Sequence, residues 1–387
     1  MSHHHAPPTL TSRLPHVGTT IFTVMSALAA QHGAVNLGQG FPDFDCDPRL
    51  VDAVADAMRA GLNQYPPMAG VMALREAIAA KVHSLYGHAY DPDTEITVTA
   101  GATQALITAI LAVVRPGDDV IVLDPCYDSY DPSIVLAGGR PRHVPLTPGT
   151  FEPDFELIGA AITPRTRAII VNTPHNPSAT VWSSRHMQQL AALLRDTDVL
   201  VLADEVYEHM VYDGAAHQSV CRWPELAARS FVVSSFGKTY HVTGWKVGHV
   251  AAPAALMAEF RKVHQFNVFT VNTPMQHGLA RYMAEASHHL ALPAFYQRKR
   301  DLFRDGLAAT RLKVLETRGS FFQCVDYAAV SDLPEAQFCH WLTTEIGVAA
   351  IPLAAFYEGG FEQRMARFCF AKKDETLELA LERLQRL

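Results

Sequence analysis

The stretch ITVTAGATQALITAILAVVRPGDDVIVL (residues 96–123) contains the pattern that decides the fold. Two short apolar runs, Ile96–Thr99 and Val120–Leu123, flank a longer segment, Thr103–Val114, in which apolar residues recur at helical spacing. Nearly continuous runs of Val, Ile and Leu are typical of strands that are buried on both faces of a parallel sheet. The stretch therefore predicts a strand, a helix and a second strand in succession.

The same alternation continues beyond residue 123. Further predicted elements are the strands Ala168–Val171, Val199–Ala203, Phe231–Ser234 and Val247–Ala251 and the helix His186–Arg195. This order predicts an α/β fold in which helices cover both faces of a mostly parallel sheet. After about residue 275 a long helical stretch precedes two more predicted strands, Val348–Pro352 and Met365–Ala371, which indicate a smaller α+β domain.

The length of 387 residues fits two or three domains. We predict that residues 46–275 form the large domain and that residues 276–387 form the small one. Residues 1–45 show no alternation of strand and helix, so we assign them to an N-terminal arm and part of the small domain.

Composition argues against several classes of protein. Apolar residues make up 49% of the chain, which is enough for a large core, and the net charge of −7 argues against a nucleic-acid partner. The longest smooth apolar run, Ala105–Val114, is shorter than the roughly 20 residues that a membrane span needs. Thr19–Ala30 faintly resembles a signal peptide, but Phe22, Met25 and Leu28 recur at helical spacing, which predicts a surface helix.

The cysteines and histidines show no metal-binding spacing. The six cysteines lie far apart without a C-x-x-C motif, and no H-E-x-x-H occurs. We therefore predict no metal site, no disulfide framework and a reducing compartment, the cytoplasm.

Polar residues follow five of the predicted strands directly. They are AGATQ after Thr99, DPCY after Leu123, NTPHNP after Val171, DEVY after Ala203 and SFGK after Ser234. Ligands of such sheets bind where the carboxyl ends of the strands meet. We therefore expect these residues to form one site.

Part of this set suits a phosphate group. Gly101-Ala102-Thr103 opens a predicted helix, whose free N–H groups favour an anion. Ser235, Lys238 and Lys246 add a hydroxyl and two ammonium groups. Taken alone, Thr103 is better explained as a helix cap, and the lysines near this strand end can also be solvated residues of a surface turn.

The remaining strand ends suit an aromatic cofactor. Asp204 either caps a helix or pairs with a protonated ring nitrogen, as in proteins that bind pyridoxal phosphate. Asn176 and Tyr207 have groups that can hydrogen-bond a ring hydroxyl, and Tyr127 can cover the ring, although each is also common in ordinary structure. Lys238, beside other cations and partly removed from water, would have a lowered pKa and act as a nucleophile towards an aldehyde.

The segment SSFGKTYHVTGWKVG (Ser234–Gly248) resembles the cofactor-lysine signature of the class I/II aminotransferases, pyridoxal-phosphate enzymes of fold type I. Further motifs extend the resemblance along nearly the whole chain: NLGQGFPDF (Asn36–Phe44), QYPPMAGVMALREAI (Gln64–Ile78), TAGATQAL (Thr99–Leu106), NTPHNPSA (Asn172–Ala179), ADEVYE (Ala203–Glu208) and RFCFAK (Arg367–Lys372). Within the family the chain resembles most the branch of methionine and kynurenine/glutamine aminotransferases. One departure is Ala179, where the family usually has glycine at a turn.

The resemblance implies a role for each matching position. Lys238 would form the Schiff base with pyridoxal phosphate, and Asp204 and Tyr207 would act with it in catalysis. The other implied cofactor-binding residues are Gly101, Ala102, Thr103, Tyr127, Asn176, Ser235 and Lys246, with Tyr65 reaching in from the second subunit of a homodimer. Arg367 would clamp the substrate carboxylate, helped by Gly38 and Asn176.

The implied reaction moves the amino group of an apolar, sulfur-containing or aromatic L-amino acid to a 2-oxo acid. Methionine, aromatic amino acids, glutamine and kynurenine are the expected donors, and candidate pocket residues are Phe22, Tyr65, Phe269, Phe321 and Tyr357. A cysteine-conjugate β-lyase with the same cofactor is the alternative. A nicotinamide dehydrogenase fits less well because Pro42 interrupts the glycine pattern that begins at Gly38, and we expect no DNA-binding segment before Asn36.

Overall fold

Strands and helices alternate through residues 10–387, the part of the chain that the computed structural model describes. The strands are β1 (Val35–Asn36), β2 (Ile96–Thr99), β3 (Asp119–Asp124), β4 (Arg140–Pro145), β5 (Thr166–Asn172), β6 (Leu200–Asp204), β7 (Ser230–Ser235), β8 (Gly248–Ala251), β9 (Lys313–Val314), β10 (Phe322–Asp326), β11 (Val348–Ala349), β12 (Ile351–Pro352) and β13 (Met365–Cys369). The helices are α1 (Ile21–His32), α2 (Pro48–Arg59), α3 (Met72–Tyr86), α4 (Gly101–Val113), α5 (Tyr130–Leu136), α6 (Phe155–Ala161), α7 (Ser184–Leu194), α8 (Pro224–Ala227), α9 (Phe236–Thr239), α10 (Ala254–Asn267), α11 (Thr273–Met283), α12 (Ser287–Leu290), α13 (Leu292–Leu307), α14 (Glu335–Trp341) and α15 (Asp374–Leu384).

The large domain is built on a seven-stranded sheet in the order β2-β8-β7-β6-β5-β3-β4. Its strands are parallel except for β8, which runs antiparallel to both β2 and β7. The strands and helices predicted between residues 96 and 251 are confirmed, with ends that differ by one or two residues. The predicted α/β class with a mostly parallel sheet is therefore correct.

The apolar strands are continuous in sequence because helices cover both faces of this sheet. In β3, Val120 and Val122 pack into the core on one face, with residues of α4 and α10. Ile121 and Leu123 belong to the core on the other face. Successive side chains of a strand point to opposite faces, so burial of both faces requires an apolar residue at every position.

Strand β4 was not predicted, and its place in the sheet explains why. It forms one edge and pairs only with β3, and its sequence, RPRHVP, has a single buried residue, Val144. An edge strand with one partner needs no continuous apolar run. Its identity as a strand therefore depends on its partner rather than on its own composition.

The small domain contains an antiparallel sheet in the order β12-β13-β10-β9 and a parallel pair, β1 with β11. The single strand predicted at Val348–Pro352 is wrong, because β11 pairs with β1 whereas β12 pairs with β13. The strand predicted at Met365–Ala371 is confirmed and ends at Cys369. Strands β1, β9 and β10 were not predicted.

The predicted domain limits stay a prediction. The predicted limit between residues 275 and 276 falls inside α11. Helix α11 packs against α2 of the predicted large domain, whereas α13 packs against α15 of the predicted small domain. The arm predicted at residues 1–45 lies partly outside the described residues, and its described part contributes α1 and β1.

The helix predicted near Thr19–Ala30 is confirmed as α1. The hydroxyl of Thr20 accepts a hydrogen bond from the N–H of Thr23 at its start, and Gly33 ends it with a φ of +58°. Met25 and Ala29 face the core. Across residues 10–387, none of the helices combines the length and apolar character that spanning a membrane requires.

Two glycines inside helices differ in what surrounds them, and this difference predicts different effects of substitution. A Cβ at Gly278 in α11 would lie 3.0 Å from the backbone nitrogen of Val54, whereas one at Gly306 in α13 would meet only the side chain of Leu381. Alanine favours a helix by about 1 kcal/mol over glycine, but overpacking against backbone costs about 1–3 kcal/mol.

We expect Gly278→Ala to lower the free energy of unfolding in urea and Gly306→Ala to lower it much less, because the Leu381 side chain can move. Equal losses in the two variants would contradict this account of the α2–α11 contact.

Candidate active site

A cavity of about 280 Å³ lies at the carboxyl ends of β5, β6 and β7, beside the start of α4. Its walls include most of the residues singled out in the sequence: Gly101, Ala102, Thr103, Tyr127, Asn176, Asp204, Tyr207, Ser235, Lys238, Lys246 and Arg367. The expectation that polar strand ends converge is therefore met in the geometry. Gly38 and Tyr65 lie outside these walls.

One end of the cavity is suited to an anion. Helix α4 begins at Gly101, and Ala100 before it supplies no side-chain hydrogen bond to the first turn. The N–H groups of that turn are thus left for a ligand. Gly101 has a φ of +78°, and a Cβ there would lie 3.3 Å from Nζ of Lys246, so glycine permits this lysine to approach the helix start.

The carboxylate of Asp204 lies at the carboxyl end of β6 and is almost fully buried. Burial raises its pKa to about 6, although the hydroxyl of Tyr130, which donates to Oδ2 at 2.7 Å, and the N–H of Val206 act in the opposite direction. Tyr130 was missed in the sequence, because a tyrosine at the start of a short helix carries no sign of a partner 74 residues away.

Asn172 joins two of the strand ends. Its side-chain Oδ1 accepts a hydrogen bond from the N–H of Asn176 at 2.9 Å, and its Nδ2 donates to the carbonyl oxygen of Asp204 at 2.8 Å. This amide fixes the loop after β5 relative to β6. Ala179, in the same loop, has a φ of +63°, as expected at a turn where the family usually has glycine.

Lys238 projects from α9 into the cavity, and Nζ donates to the carbonyl oxygen of Gly40 at 2.8 Å. Nζ also lies 5.7 Å from the ring centroid of Tyr207 and 5.3 Å from that of Phe321. Burial lowers the pKa of this amine to about 8, and the nearby guanidinium of Arg367 acts in the same direction. A substantial fraction of Lys238 is therefore neutral near pH 8 and able to act as a nucleophile or base.

Arg367 on β13 closes the cavity from the small domain. Nη1 donates to Oδ1 of Asn176 at 2.6 Å and Nη2 to the carbonyl oxygen of Gly38 at 2.9 Å. Its Nε is buried and has no hydrogen-bond partner among the described residues. A guanidinium has five N–H donors, so this one keeps donors for a carboxylate.

The aromatic candidates lie in different places. Phe22 lines the cavity, whereas Phe321 and Tyr357 are not among its lining residues. Phe321 is fully buried, and the hydroxyl of Tyr357 accepts a hydrogen bond from Gln363. Tyr65 is 81% exposed and packs edge to face against Phe269. Two further aromatic residues, Phe41 and Phe322, line the cavity and were not predicted as pocket residues.

One group of potential metal ligands occurs in residues 10–387, formed by Asp124, Cys126 and His143. Nδ1 of His143 lies 2.8 Å from Asp124, and Nε2 lies 3.1 Å from Asp131. Burial lowers the pKa of His143, but the two carboxylates outweigh it and raise the pKa to about 10. The contacts within this group are those of an ion-paired bridge between His143 and the two aspartates.

A model of the family "Aminotransferase class I and II" matches residues 33–384. The chain belongs to this family. It is 53% identical to methionine aminotransferase of Escherichia coli over 377 residues, which cover 97% of this chain and 98% of that protein. It is 35% identical to human kynurenine–oxoglutarate transaminase 1, with 93% of each chain covered.

Solved structures give the same assignment. The crystal structure of an Escherichia coli protein with an identified methionine aminotransferase function superposes with a TM-score of 0.97 at 52% identity and covers 98% of this chain and 100% of that one. The chain is therefore a pyridoxal-phosphate-dependent aminotransferase of fold type I. The predicted family, fold class, enzyme class and cofactor are confirmed.

The residues of this aminotransferase fit the cofactor. The uncapped start of α4 with Lys246 beside it suits the phosphate, and the buried carboxylate of Asp204 suits a cationic ring nitrogen. The amine of Lys238 lies on the wall of the same cavity. The individual roles inferred from the sequence stay a prediction.

The buried negative charge of Asp204 should lower the stability of the cofactor-free protein although the charge is needed for function. Its pKa is about 6 in the folded chain and near 3.8 when unfolded, so burial of the charge destabilises the cofactor-free protein above pH 6, and this loss disappears as the pH falls towards 4. We expect cofactor-free Asp204→Asn to be more stable than the parent at pH 7, by about 3 kcal/mol at most, and inactive with cofactor.

The measurement is the midpoint of thermal unfolding of both cofactor-free proteins between pH 4 and 8. The two curves should converge at low pH, and a constant difference across this range would contradict the assignment.

Proposed function

We propose that this aminotransferase takes amino groups from amino acids with apolar, sulfur-containing or aromatic side chains. Methionine and aromatic amino acids head the expected donors, with glutamine and kynurenine in the same set, and a 2-oxo acid accepts the amino group. The names of the Escherichia coli and human relatives support this range.

The observation that carries the proposal is the aromatic surrounding of Arg367. Its guanidinium carbon lies 4.0 Å from the ring centroid of Phe322, 4.9 Å from that of Phe356 and 5.4 Å from that of Phe22. Phe22 and Phe322 also line the cavity, so a substrate whose carboxylate is held by Arg367 would have aromatic walls nearby for its side chain. Such walls favour apolar and aromatic side chains.

Charges on the cavity wall support the same range. The cationic residues that line the cavity in the described chain are Lys238, Lys246 and Arg367. Each already has a proposed task with the cofactor or with the α-carboxylate. No further cation lines this described cavity to pair with an acidic side chain, so aspartate should be a poor donor.

The chain's own residues divide the chemical work. When bound, pyridoxal phosphate supplies an aldehyde that accepts the amino group and a ring that draws electrons from the substrate α-carbon. The Nζ of Lys238, buried and with a pKa of about 8, would take the proton from that carbon and deliver it to the carbon that came from the aldehyde, so that the amino group stays with the cofactor. Asp204 would hold the ring nitrogen with its negative charge, and Tyr130 fixes its carboxylate by a hydrogen bond to Oδ2.

The β-lyase alternative would use the same residues, and the comparisons give no support for it. Release of pyruvate and ammonia from a cysteine conjugate without an added 2-oxo acid would reveal such an activity.

We infer that the enzyme acts as a homodimer in the cytoplasm. Tyr65, Phe266 and Phe269 are 81%, 87% and 47% exposed, a concentration of aromatic surface that favours a subunit contact. Tyr65 on this surface is available to a neighbouring cavity. Within the described residues all six cysteines are free and five of them are buried, which supports a reducing compartment.

A panel of amino donors tests the substrate range. With one 2-oxo acid as acceptor, we expect kcat/KM for methionine and phenylalanine to exceed that for aspartate by at least about tenfold, the effect of roughly 1.4 kcal/mol of differential binding. Arg367→Lys should lower kcat/KM for all donors alike, because lysine lacks the planar pair of donors. A preference for aspartate would overturn the proposed range.

The exposed aromatic surface predicts the oligomeric state. Phe266→Asp combined with Phe269→Asp should convert a dimer into monomers in sedimentation velocity and weaken cofactor binding. Leu157→Asp, on the exposed face of α6, is the matched control because Leu157 is 47% exposed. A parent protein that sediments as a fully active monomer would contradict the inference.

A further inference from the structure

Glu208 is a buried carboxylate that the proposed reaction does not use. It is 5% exposed and follows Tyr207 directly in the chain. Oε1 accepts from Nζ of Lys81 at 2.6 Å and from the hydroxyl of Ser234, and Oε2 accepts from the hydroxyl of Tyr86 at 2.5 Å. Three donors from α3 and β7 therefore meet on this one side chain.

The nearest countercharge of Glu208 is Lys81, whose Nζ lies 2.6 Å from Oε1, whereas Nε2 of His209 lies 3.7 Å from the same oxygen. Burial acts to raise the pKa of Glu208, but the adjacent ammonium of Lys81 outweighs it and holds the pKa well below its usual range. Burial lowers the pKa of His209 and of His249 to about 3 and that of His289 to about 4, so these neighbouring imidazoles are neutral. The result is one compact ion pair with a hydroxyl on either side.

The hydrogen bond to Ser234 connects this ion pair with the cavity. Ser234 and Ser235 are consecutive residues at the end of β7, and consecutive side chains of a strand point to opposite faces. Ser235 lines the cavity, whereas Ser234 is buried and bonded to Glu208. Helix α9, which carries Lys238, starts at the next residue.

The backbone links Glu208 to the part of the cavity wall that Asp204 and Tyr207 form. Tyr207 lines the cavity, and Glu208 is the next residue in the turn that leaves β6 and Asp204. The same carboxylate thus reaches the β6 end through the backbone and the β7 end through Ser234.

We propose that Glu208 is a positioning residue, which fixes the ends of β6 and β7 relative to each other by its hydrogen bond with Ser234. Backbone pairing joins β6 and β7 as far as Glu205, whose N–H donates to the carbonyl oxygen of Val233 at 2.9 Å. The Glu208–Ser234 bond extends this connection to the turn that carries Tyr207. The inference rests on the cofactor and the site roles proposed above. A displacement of about 1 Å in such a site can reduce the rate a hundredfold.

The sharpest test compares two serines of the same strand. Ser234→Ala removes the hydrogen bond to Glu208 and leaves Lys81 and Tyr86 in place. Ser230→Ala is the matched control, because Ser230 is also buried in β7 and donates to the carbonyl oxygen of Leu226, at the opposite end of the strand from Ser235. Both variants should lose stability in urea, Ser234→Ala the more because its lost bond is to a charged group.

Only Ser234→Ala should raise the Kd of the cofactor-free protein for pyridoxal phosphate, measured by fluorescence titration, by about tenfold, as loss of a hydrogen bond to a charged group implies. Its kcat with saturating cofactor should also fall, while KM for the donor changes little. Equal Kd and kcat values for the two variants would overturn the proposal.

A second variant separates geometry from charge. Lys81→Met combined with Glu208→Gln removes both charges and keeps an amide oxygen to accept from Ser234, so cofactor Kd and kcat should stay within about threefold of the parent. Replacing both partners avoids the uncompensated buried charge that a single substitution would leave. A loss as large as that of Ser234→Ala would show that charge is what matters and would overturn the positioning role.

Failure of the proposed function would look different. A parent protein that binds no pyridoxal phosphate would refute the cofactor site itself, whereas a parent that binds it while Ser234→Ala and Ser230→Ala behave alike would refute only the role of Glu208.

Discussion

Three ionisable groups share one buried cavity without a direct ion pair among them. Asp204, Lys238 and Arg367 are each surrounded by protein, and no carboxylate within 4.0 Å neutralises either cation in the described chain. Charges buried in this way cost free energy, and the pKa values of Asp204 and Lys238 move to about 6 and about 8 as a result. A cationic ring beside Asp204 and a carboxylate beside Arg367 would each bring a countercharge, so binding of cofactor and substrate should stabilise the fold.

The strands that could be predicted from the sequence are those buried on both faces, because burial then selects an apolar residue at successive positions. Strand β3 is buried on both faces, so its four central positions, Val120–Leu123, are all apolar and the run is evident without any knowledge of neighbours. Strand β4 lies at an edge, and its polar composition reflects exposure instead of strand formation. The boundary between β11 and β12 is set by two different partner strands, β1 and β13, which are distant in the chain. Local pattern contains no information about that choice.

The residues of the candidate site likewise fall into those that a local pattern reveals and those that it does not. Asn176, Asp204 and Lys238 follow buried strands, so the general rule for parallel sheets brings them together in one cavity. Arg367 and Gly38 were named through resemblance alone, because they come from the small domain and from the segment after β1. Tyr130 and Glu208 carried no usable signal, since their hydrogen-bond partners Asp204 and Lys81 lie 74 and 127 residues away.

The segment Gly38-Gln39-Gly40 links the cavity to the small domain, and its two glycines have a steric reason. A Cβ at Gly38 would lie 3.0 Å from Cδ1 of Ile351, and one at Gly40 would lie 3.0 Å from Cζ of Phe322. The backbone can therefore come close enough for its carbonyl oxygens to accept from Arg367 and from Lys238. Neutral carbonyl acceptors orient both cations without cancelling their charge, which leaves the guanidinium for a carboxylate and the amine for proton transfer. Carboxylates in these positions would bind the cations more strongly and would compete with the substrate.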